Sequence, residues 1–193
     1  MLENKVAIIT GASSGIGLAA ARLFAAEGAA LVLNARRQEN LQAVVEEITA
    51  AGGRAYAVAG DVGEDETHRR MIEAAGDMFG GLDIAFNNAG SVGPYKPLAE
   101  VMPEEWGEVL AVNLTGAFLG ARRQIPAMLE GGGGSIIFTS TFVGTSVGIP
   151  NMGAYASAKA GLMGLVKAIT ADYGSRGIRA NALLPGGVDT PAA

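Results

Sequence analysis

Tyr155 and Lys159 are the only large polar side chains in a run of small and apolar residues, GAYASAKAGLMGL, Gly153 to Leu165. A spacing of four places both on one face of a helix, one turn apart, so a phenol and an ammonium can share a site. A free phenol titrates near pH ~10, and a neighbouring cation favours its ionised form. Lys159 is therefore expected to lower the Tyr155 value toward neutrality and make the phenol a group that gives and takes protons. The small residues around the pair, Ala154, Ala156, Ser157, Ala158, Ala160 and Gly161, let a ligand and a neighbouring helix come close.

A second stretch with chemical meaning is TGASSGIG, Thr10 to Gly17, which joins an apolar strand-like run to a helical one. Gly11 permits a tight turn, Gly15 lets a pyrophosphate approach the backbone, and Gly17 lets the helix pack closely on a sheet. With Ser13, Ser14 and Ile16 between them, the loop presents free N–H groups at a helix start, where anions bind. The G-x-x-x-G-x-G spacing departs from the common G-x-G-x-x-G fingerprint but serves the same physical task.

A dinucleotide on that loop needs its adenosine ribose read at the end of the second strand, where a carboxylate selects the 2′-hydroxyl and an arginine selects a 2′-phosphate. The second apolar run ends LVLNARR, with Ala35 where the acid belongs, followed by Arg36 and Arg37. A guanidinium binds phosphate through two parallel charge-assisted bonds, so NADP(H) is favoured over NAD(H). Asp61, followed by Val62 in GDV, ends the third run and is placed to accept a bond from the adenine amino group.

The elements that must hold these residues follow from the apolar pattern. Short β-branched runs (KVAIITG, AALVLNA, AYAVAGDV, LDIAFNNAG, SIIFTS, IRANALLPGG) alternate with longer amphipathic segments, among them EEWGEVLAVNLTGAFLGARRQIPAML, read as one helix. This order predicts an α/β fold, a doubly wound parallel sheet with helices on both faces, whose ligands settle at the carboxyl ends of the strands. The stretch SVGPYKPLAEVMPEEW reads as a surface connection.

The chain has 193 residues, 49% hydrophobic and 17% charged, which fits a single domain with a sizeable core. Net charge is −5, and the arginines fall in pairs (Arg36-Arg37, Arg69-Arg70, Arg122-Arg123) rather than a stripe, which argues against a nucleic-acid surface. There is no cysteine, hence no thiolate nucleophile and no cysteine-based metal site, and the single histidine, His68 in EDETHRR, is expected to be solvated. No apolar run approaches ~18 residues and no leader pattern opens the chain, so a cytoplasmic location without membrane contact is expected.

Taken together, TGASSGIG, NNAG at Asn87 to Gly90, YASAK at Tyr155 to Lys159 and PGGVDT at Pro185 to Thr190 resemble, in order, the motifs of the short-chain dehydrogenase/reductase family. The resemblance covers almost the whole chain. It implies a Rossmann-like fold and hydride transfer between a nicotinamide cofactor and a carbonyl or alcohol carbon of a small molecule. Such a reaction also needs an acid in reduction and a base in oxidation, the role of Tyr155. By the same resemblance Lys159 also holds the nicotinamide ribose, and Asn113 holds a water in a proton relay. Asn88, Ala89 and Gly90 then line the cofactor's ribose and pyrophosphate, and Thr190 bonds the carboxamide within a loop, with Pro185, Gly186 and Val188, that closes on the nicotinamide.

The family places a serine at the end of the fifth strand to polarise the substrate oxygen. Here the register gives Thr141, with Ser140 just before it. Strand alternation sends the two side chains to opposite sides, so only one can serve; Thr141 is favoured and Ser140 is the alternative. The family pattern continues past Thr190 with substrate-covering helices and a final strand, so the 193 residues are expected to lack that lid. A homo-oligomer, tetramer or dimer, is the family's expectation. The rival reading is a catalytically silent nucleotide-binding sensor or scaffold of the same fold; the intact Tyr155 and Lys159 count against it.

Overall fold

The computed structural model describes residues 1–190. Six strands, β1 (Val6–Thr10), β2 (Ala30–Ala35), β3 (Arg54–Ala59), β4 (Ile84–Asn87), β5 (Gly134–Thr139) and β6 (Ile178–Leu183), form one parallel sheet in the order β3-β2-β1-β4-β5-β6. The helices α1 (Gly15–Ala26) and α2 (Gln38–Ala50) cross over on one face, and α3 (Asp65–Phe79), α5 (Gly116–Glu130) and α6 (Gly153–Tyr173) on the other. A shorter helix, α4 (Pro103–Leu110), precedes α5. This is the Rossmann-like arrangement, and its strand order reverses between β1 and β4, which opens a crevice there.

Alternation along β1 shows how the two cores are built. Val6 and Ile8 point into the layer made with Met71 of α3, Ile125 and Met128 of α5 and Leu162 of α6. Ala7 and Ile9 point the other way, toward Leu41, Val44 and Ile48 of α2. Both faces of the strand are covered, as a parallel sheet requires, which is why the strand sequences read as continuous apolar runs.

The long segment expected as one helix is interrupted. Ala111–Thr115 forms a π turn between α4 and α5. The cause lies at Asn113, whose Nδ2 donates to the Val109 carbonyl at 2.9 Å and so competes with the backbone for that acceptor. A widened turn of this kind inside a helix is most often found at functional sites.

His68 departs from expectation altogether: it is 1% exposed rather than solvated. Thr67, His68, Met71, Ala74 and Ala75 form the inward face of α3, and its polar neighbours Glu66, Arg69 and Arg70 face out. Its Nε2 donates to the Val62 carbonyl at 2.8 Å. Burial holds the imidazole below its ordinary value, so it stays neutral at physiological pH. On the outer side of the same helix, Asp65 pairs with both Arg122 and Arg123 of α5, and this carboxyl is pulled down to about 2, chiefly by its bond to Arg123. Among the described residues no helix is long and apolar enough to cross a membrane.

Candidate active site

The crevice begins where β1 ends. Gly11 (φ 67°) and Gly15 (φ 53°) occupy the left-handed region that side chains disfavour, and between them Ser14 forms the N-cap of α1. Gly17 is needed for a different reason, because a methyl group there would collide with the Gly11 carbonyl oxygen and stand 2.7 Å from Asn88 Nδ2. Ile16 packs into the core beneath. The first turn of α1 holds no acidic residue, so its unpaired N–H groups and dipole offer an uncompensated positive end to an anion.

Three neighbouring strand ends are tied together at this point. Thr10 Oγ1 accepts the N–H groups of Asn88 (2.9 Å) and Ala89 (3.0 Å). Asn88 Nδ2 returns a bond to the Thr10 carbonyl at 3.1 Å, and Thr139 Oγ1 donates to Asn88 Oδ1 at 3.1 Å. On the other side of β1, Asn34 Nδ2 donates to the carbonyls of Val58 (2.9 Å) and Gly60 (3.1 Å) and fixes the ends of β2 and β3. Thr10 and Asn34 were not singled out from sequence, although a polar residue near the end of an otherwise apolar strand is the signal that marks each.

From this junction a cleft of about 530 Å³ runs past Gly11, Ser13 and Ser14 to Ala35 and Arg36 on one side, and past Asp61 and Val62 to Ala89 and Gly90 on the other. Ser91 and Pro94 also line it, so the connection read as mere surface contributes a wall. Asp61 Oδ1 accepts the Gly63 N–H at 2.8 Å, which orients the carboxylate. Arg36 and Arg37 are exposed and have no carboxylate partner among the described residues, unlike Arg69, Arg122 and Arg123. Arg37 does not line the cleft; it stands at the N-cap of α2. Thr190 folds back over the loop, so that a methyl carbon at Gly15 would lie 3.3 Å from its side chain. Pro185, Gly186 and Val188 occupy the irregular segment leading from β6 to Thr190.

At the carboxyl end of β5 the chain places Ser140 and Thr141 differently. Ser140 is 1% exposed, and its hydroxyl donates to the Lys159 carbonyl at 2.9 Å. The Thr141 hydroxyl instead accepts the Val143 N–H at 3.3 Å and keeps its proton, and it is near enough to the Tyr155 phenol to favour the ionised form. Lys159 is 3% exposed, and its Nζ donates to the Thr139 carbonyl at 2.7 Å. A carbon added at Gly90 would lie 2.9 Å from Asn113 Oδ1 and 3.1 Å from Lys159 Nζ, so the π turn and α6 bring both polar heads to the rim of the cleft. The Asn113 amide clamps the start of the following loop, donating to the Ser91 carbonyl (2.7 Å) and accepting its N–H (3.2 Å).

The electrostatics correct the expectation drawn from spacing. Burial raises the Tyr155 phenol above its ordinary value, the Thr141 hydroxyl works against this, and Lys159 contributes no lowering. Lys159 Nζ lies 5.8 Å from the centre of the phenol ring and is turned toward Thr139. Its own value is pushed down to about 8 by burial. Helical spacing brought the two side chains onto one face but did not decide where the flexible ammonium would find its acceptor.

The model of the family described as short chain dehydrogenase matches residues 5–193. The chain belongs to the short-chain dehydrogenase family. Cyclohexanol dehydrogenase of Acinetobacter sp. (strain SE19) is 42% identical over 98% of this chain and 75% of its own. The 3beta-hydroxysteroid dehydrogenase 1 of Eggerthella lenta is 40% identical over 98% of this chain and 73% of its own. A short-chain type dehydrogenase/reductase from Mycobacterium marinum superposes with a TM-score of 0.94 at 36% identity, covering 99% of this chain and 76% of that one. Membership makes the chain an oxidoreductase that works with a nicotinamide cofactor. The residues present fit that group: the cleft has the volume of a small-molecule site, its glycine floor is closed to any added carbon at Gly17, and a helix N-terminus stands beside it.

Proposed function

We propose that this chain interconverts ketones and secondary alcohols with NADP(H), using Tyr155 as acid and base and Thr141 as the hydroxyl that orients the substrate oxygen. The observation that carries the catalytic reading is that the Ser140 hydroxyl is committed to the Lys159 carbonyl at 2.9 Å, which leaves Thr141 as the hydroxyl at the end of β5 with a proton to give. The bound cofactor supplies or takes up the hydride. In reduction the Tyr155 hydroxyl donates its proton to the oxygen that becomes the alcohol, while the Thr141 hydroxyl donates a hydrogen bond to that same oxygen. A phenol held above its ordinary value keeps its proton at neutral pH, which suits the acid role. Lys159 would bind a ribose hydroxyl, and with Asn113 it would help return a proton to Tyr155; their approach to Gly90 at the rim of the cleft supports this. Gly11, Ser13, Ser14 and Gly15 would hold the pyrophosphate, Asp61 and Val62 the adenine, and Ala89 and Gly90 the ribose side.

NADP(H) is preferred because Ala35 offers no carboxylate to repel a 2′-phosphate, and Arg36 lines the cleft with no ion-pair partner among the described residues. Arg36→Ala is expected to weaken NADPH binding about 10- to 100-fold and NADH binding less than about threefold, as read by fluorescence titration. Equal weakening of the two would remove the phosphate assignment. The names of two relatives point to hydroxyl groups on alicyclic rings, so a carbonyl panel for stopped-flow reduction should include cyclohexanone, a 3-ketosteroid and a 3-oxoacyl thioester. Consumption of NADPH with at least one of them is expected; a protein that quenches NADPH fluorescence yet never oxidises it would be the silent binder instead.

A further inference from the structure

We propose that one water molecule, buried between α3, the start of α5 and the carboxyl ends of β1, β4 and β5, bridges His68 Nδ1 to Lys159, and that His68 is thereby a positioning residue for the ammonium. The inference rests on the assignment of Lys159 to the catalytic site. A small pocket of about 10 Å³ lies at this place, and the buried side chains of Thr10, His68, Asn87, Asn113, Thr139 and Lys159 supply its polar lining. That is about the room one water requires, and a polar site of this size holds one when two or more partners are at hand.

The partners can be assigned by elimination. Val62 offers His68 a carbonyl, which only accepts, so the ring's proton is on Nε2 and Nδ1 carries a lone pair. Nδ1 is the buried side-chain atom left without a hydrogen-bond partner among the described residues. Asn87 and Gln124 satisfy each other at 2.9 Å in both directions, and the Asn113 amide is spent on Ser91 and Val109. Lys159 has three N–H donors and a single protein acceptor, the Thr139 carbonyl. The Thr10 hydroxyl has accepted two backbone N–H groups and still has its own proton to give. A water that donates to Nδ1 can accept from both Lys159 and Thr10, giving Nδ1 its missing donor, the ammonium a second acceptor and the Thr10 hydroxyl an acceptor.

Its orientation has an electrostatic consequence. With one hydrogen directed at Nδ1, the oxygen lone pairs are left for the ammonium and favour the charged form of Lys159. The charged and titratable groups around the pair do not supply this support. Asp65 of α3 and Arg123 of α5 are engaged with each other, Tyr155 is the titratable neighbour on α6, and the cavity lining includes no carboxylate.

The chain contains one histidine, so a 15N-histidine spectrum of the protein reports this ring without assignment. The expected spectrum is that of a neutral ring protonated at Nε2 with a hydrogen-bonded Nδ1, unchanged from pH ~8 down to ~6; a free Nδ1, or a proton on Nδ1, overturns the bridge. For the positioning role, His68→Phe keeps the bulk and removes the acceptor, and His68→Gln keeps a donor for Val62 and an acceptor for the water. The alkaline limb of the turnover profile is expected to move about one unit to lower pH in His68→Phe and to return most of the way in His68→Gln, with the KM for NADPH unchanged. An unmoved limb in folded variants overturns the role even if the bridge is seen. Failure of the underlying catalytic assignment would show separately, as turnover surviving in Tyr155→Phe, and would leave the spectrum as it is.

Discussion

Replacing Tyr155 with phenylalanine is expected to lower turnover by about a thousandfold, some 4 kcal/mol of transition-state stabilisation, while NADPH affinity changes by less than about twofold. The ring stays and only the hydroxyl goes, so the packing of Tyr155 with Val109, Ala154 and Ala158 is kept. Thermal unfolding should shift little. Steady-state rates and a fluorescence titration on the same preparation decide the matter, and a variant retaining a tenth of normal turnover would place the acid elsewhere. The direction of the phenol's shift adds a second expectation for the unaltered protein. Because burial holds Tyr155 above its ordinary value, ketone reduction should hold up through neutral pH, whereas alcohol oxidation, which needs the phenolate, should climb into the alkaline range.

Lys159→Met is expected to abolish detectable turnover and, at the same time, to make the protein more stable. The ammonium is buried with no carboxylate beside it, and its value falls from 10.5 to about 8. The unfolded chain therefore binds more protons between those two values, so stability rises with pH across that window and the burial penalty is complete below about 8. Such a shift corresponds to roughly 3 kcal/mol, against which the bond to the Thr139 carbonyl offsets about 1–2 kcal/mol. A net gain of about 1–2 kcal/mol, or ~2–6 °C in Tm, should be seen at neutral pH, and the rise in Tm from pH ~8 to ~10 should flatten. A lower Tm in the variant would mean that the Thr139 carbonyl and the bridging water together hold the ammonium more strongly than burial penalises it. An unpaired charge kept at such cost is what a site selected for chemistry rather than stability looks like.

The sequence carried the scaffold because each layer repeats its own period. The apolar runs became β1 to β6, Gly11 takes the left-handed turn its position asks for, and Gly17 stands where an added carbon would strike the Gly11 carbonyl. What spacing could not reveal was decided by competition between acceptors. Asn113 took the Val109 carbonyl and widened a helix that reads as continuous. Lys159 took the Thr139 carbonyl and left the phenol's value to burial and Thr141. Ser140 and Thr141 both lie past the end of β5, so strand alternation does not separate them, and it is the position of the Lys159 carbonyl that engages the Ser140 hydroxyl. His68 was misjudged because EDETHRR looks charged throughout; the helical spacing of His68, Met71 and Ala75 carried the signal that this side of α3 is covered.

The knot of bonds joining Thr10 to Asn88 and Ala89 spans nearly eighty residues of chain. On the ribosome, β1 to β3 emerge about a hundred residues ahead of Tyr155, an interval of roughly 5–20 s. Through that interval the Thr10 hydroxyl first lacks its fourth-strand partners, and afterwards β4 lacks β5 alongside it. A nascent chain thus cannot fix the loop after β1 until β4 and then β5 have arrived, so the crevice is among the last parts of the sheet's carboxyl edge to take its final form.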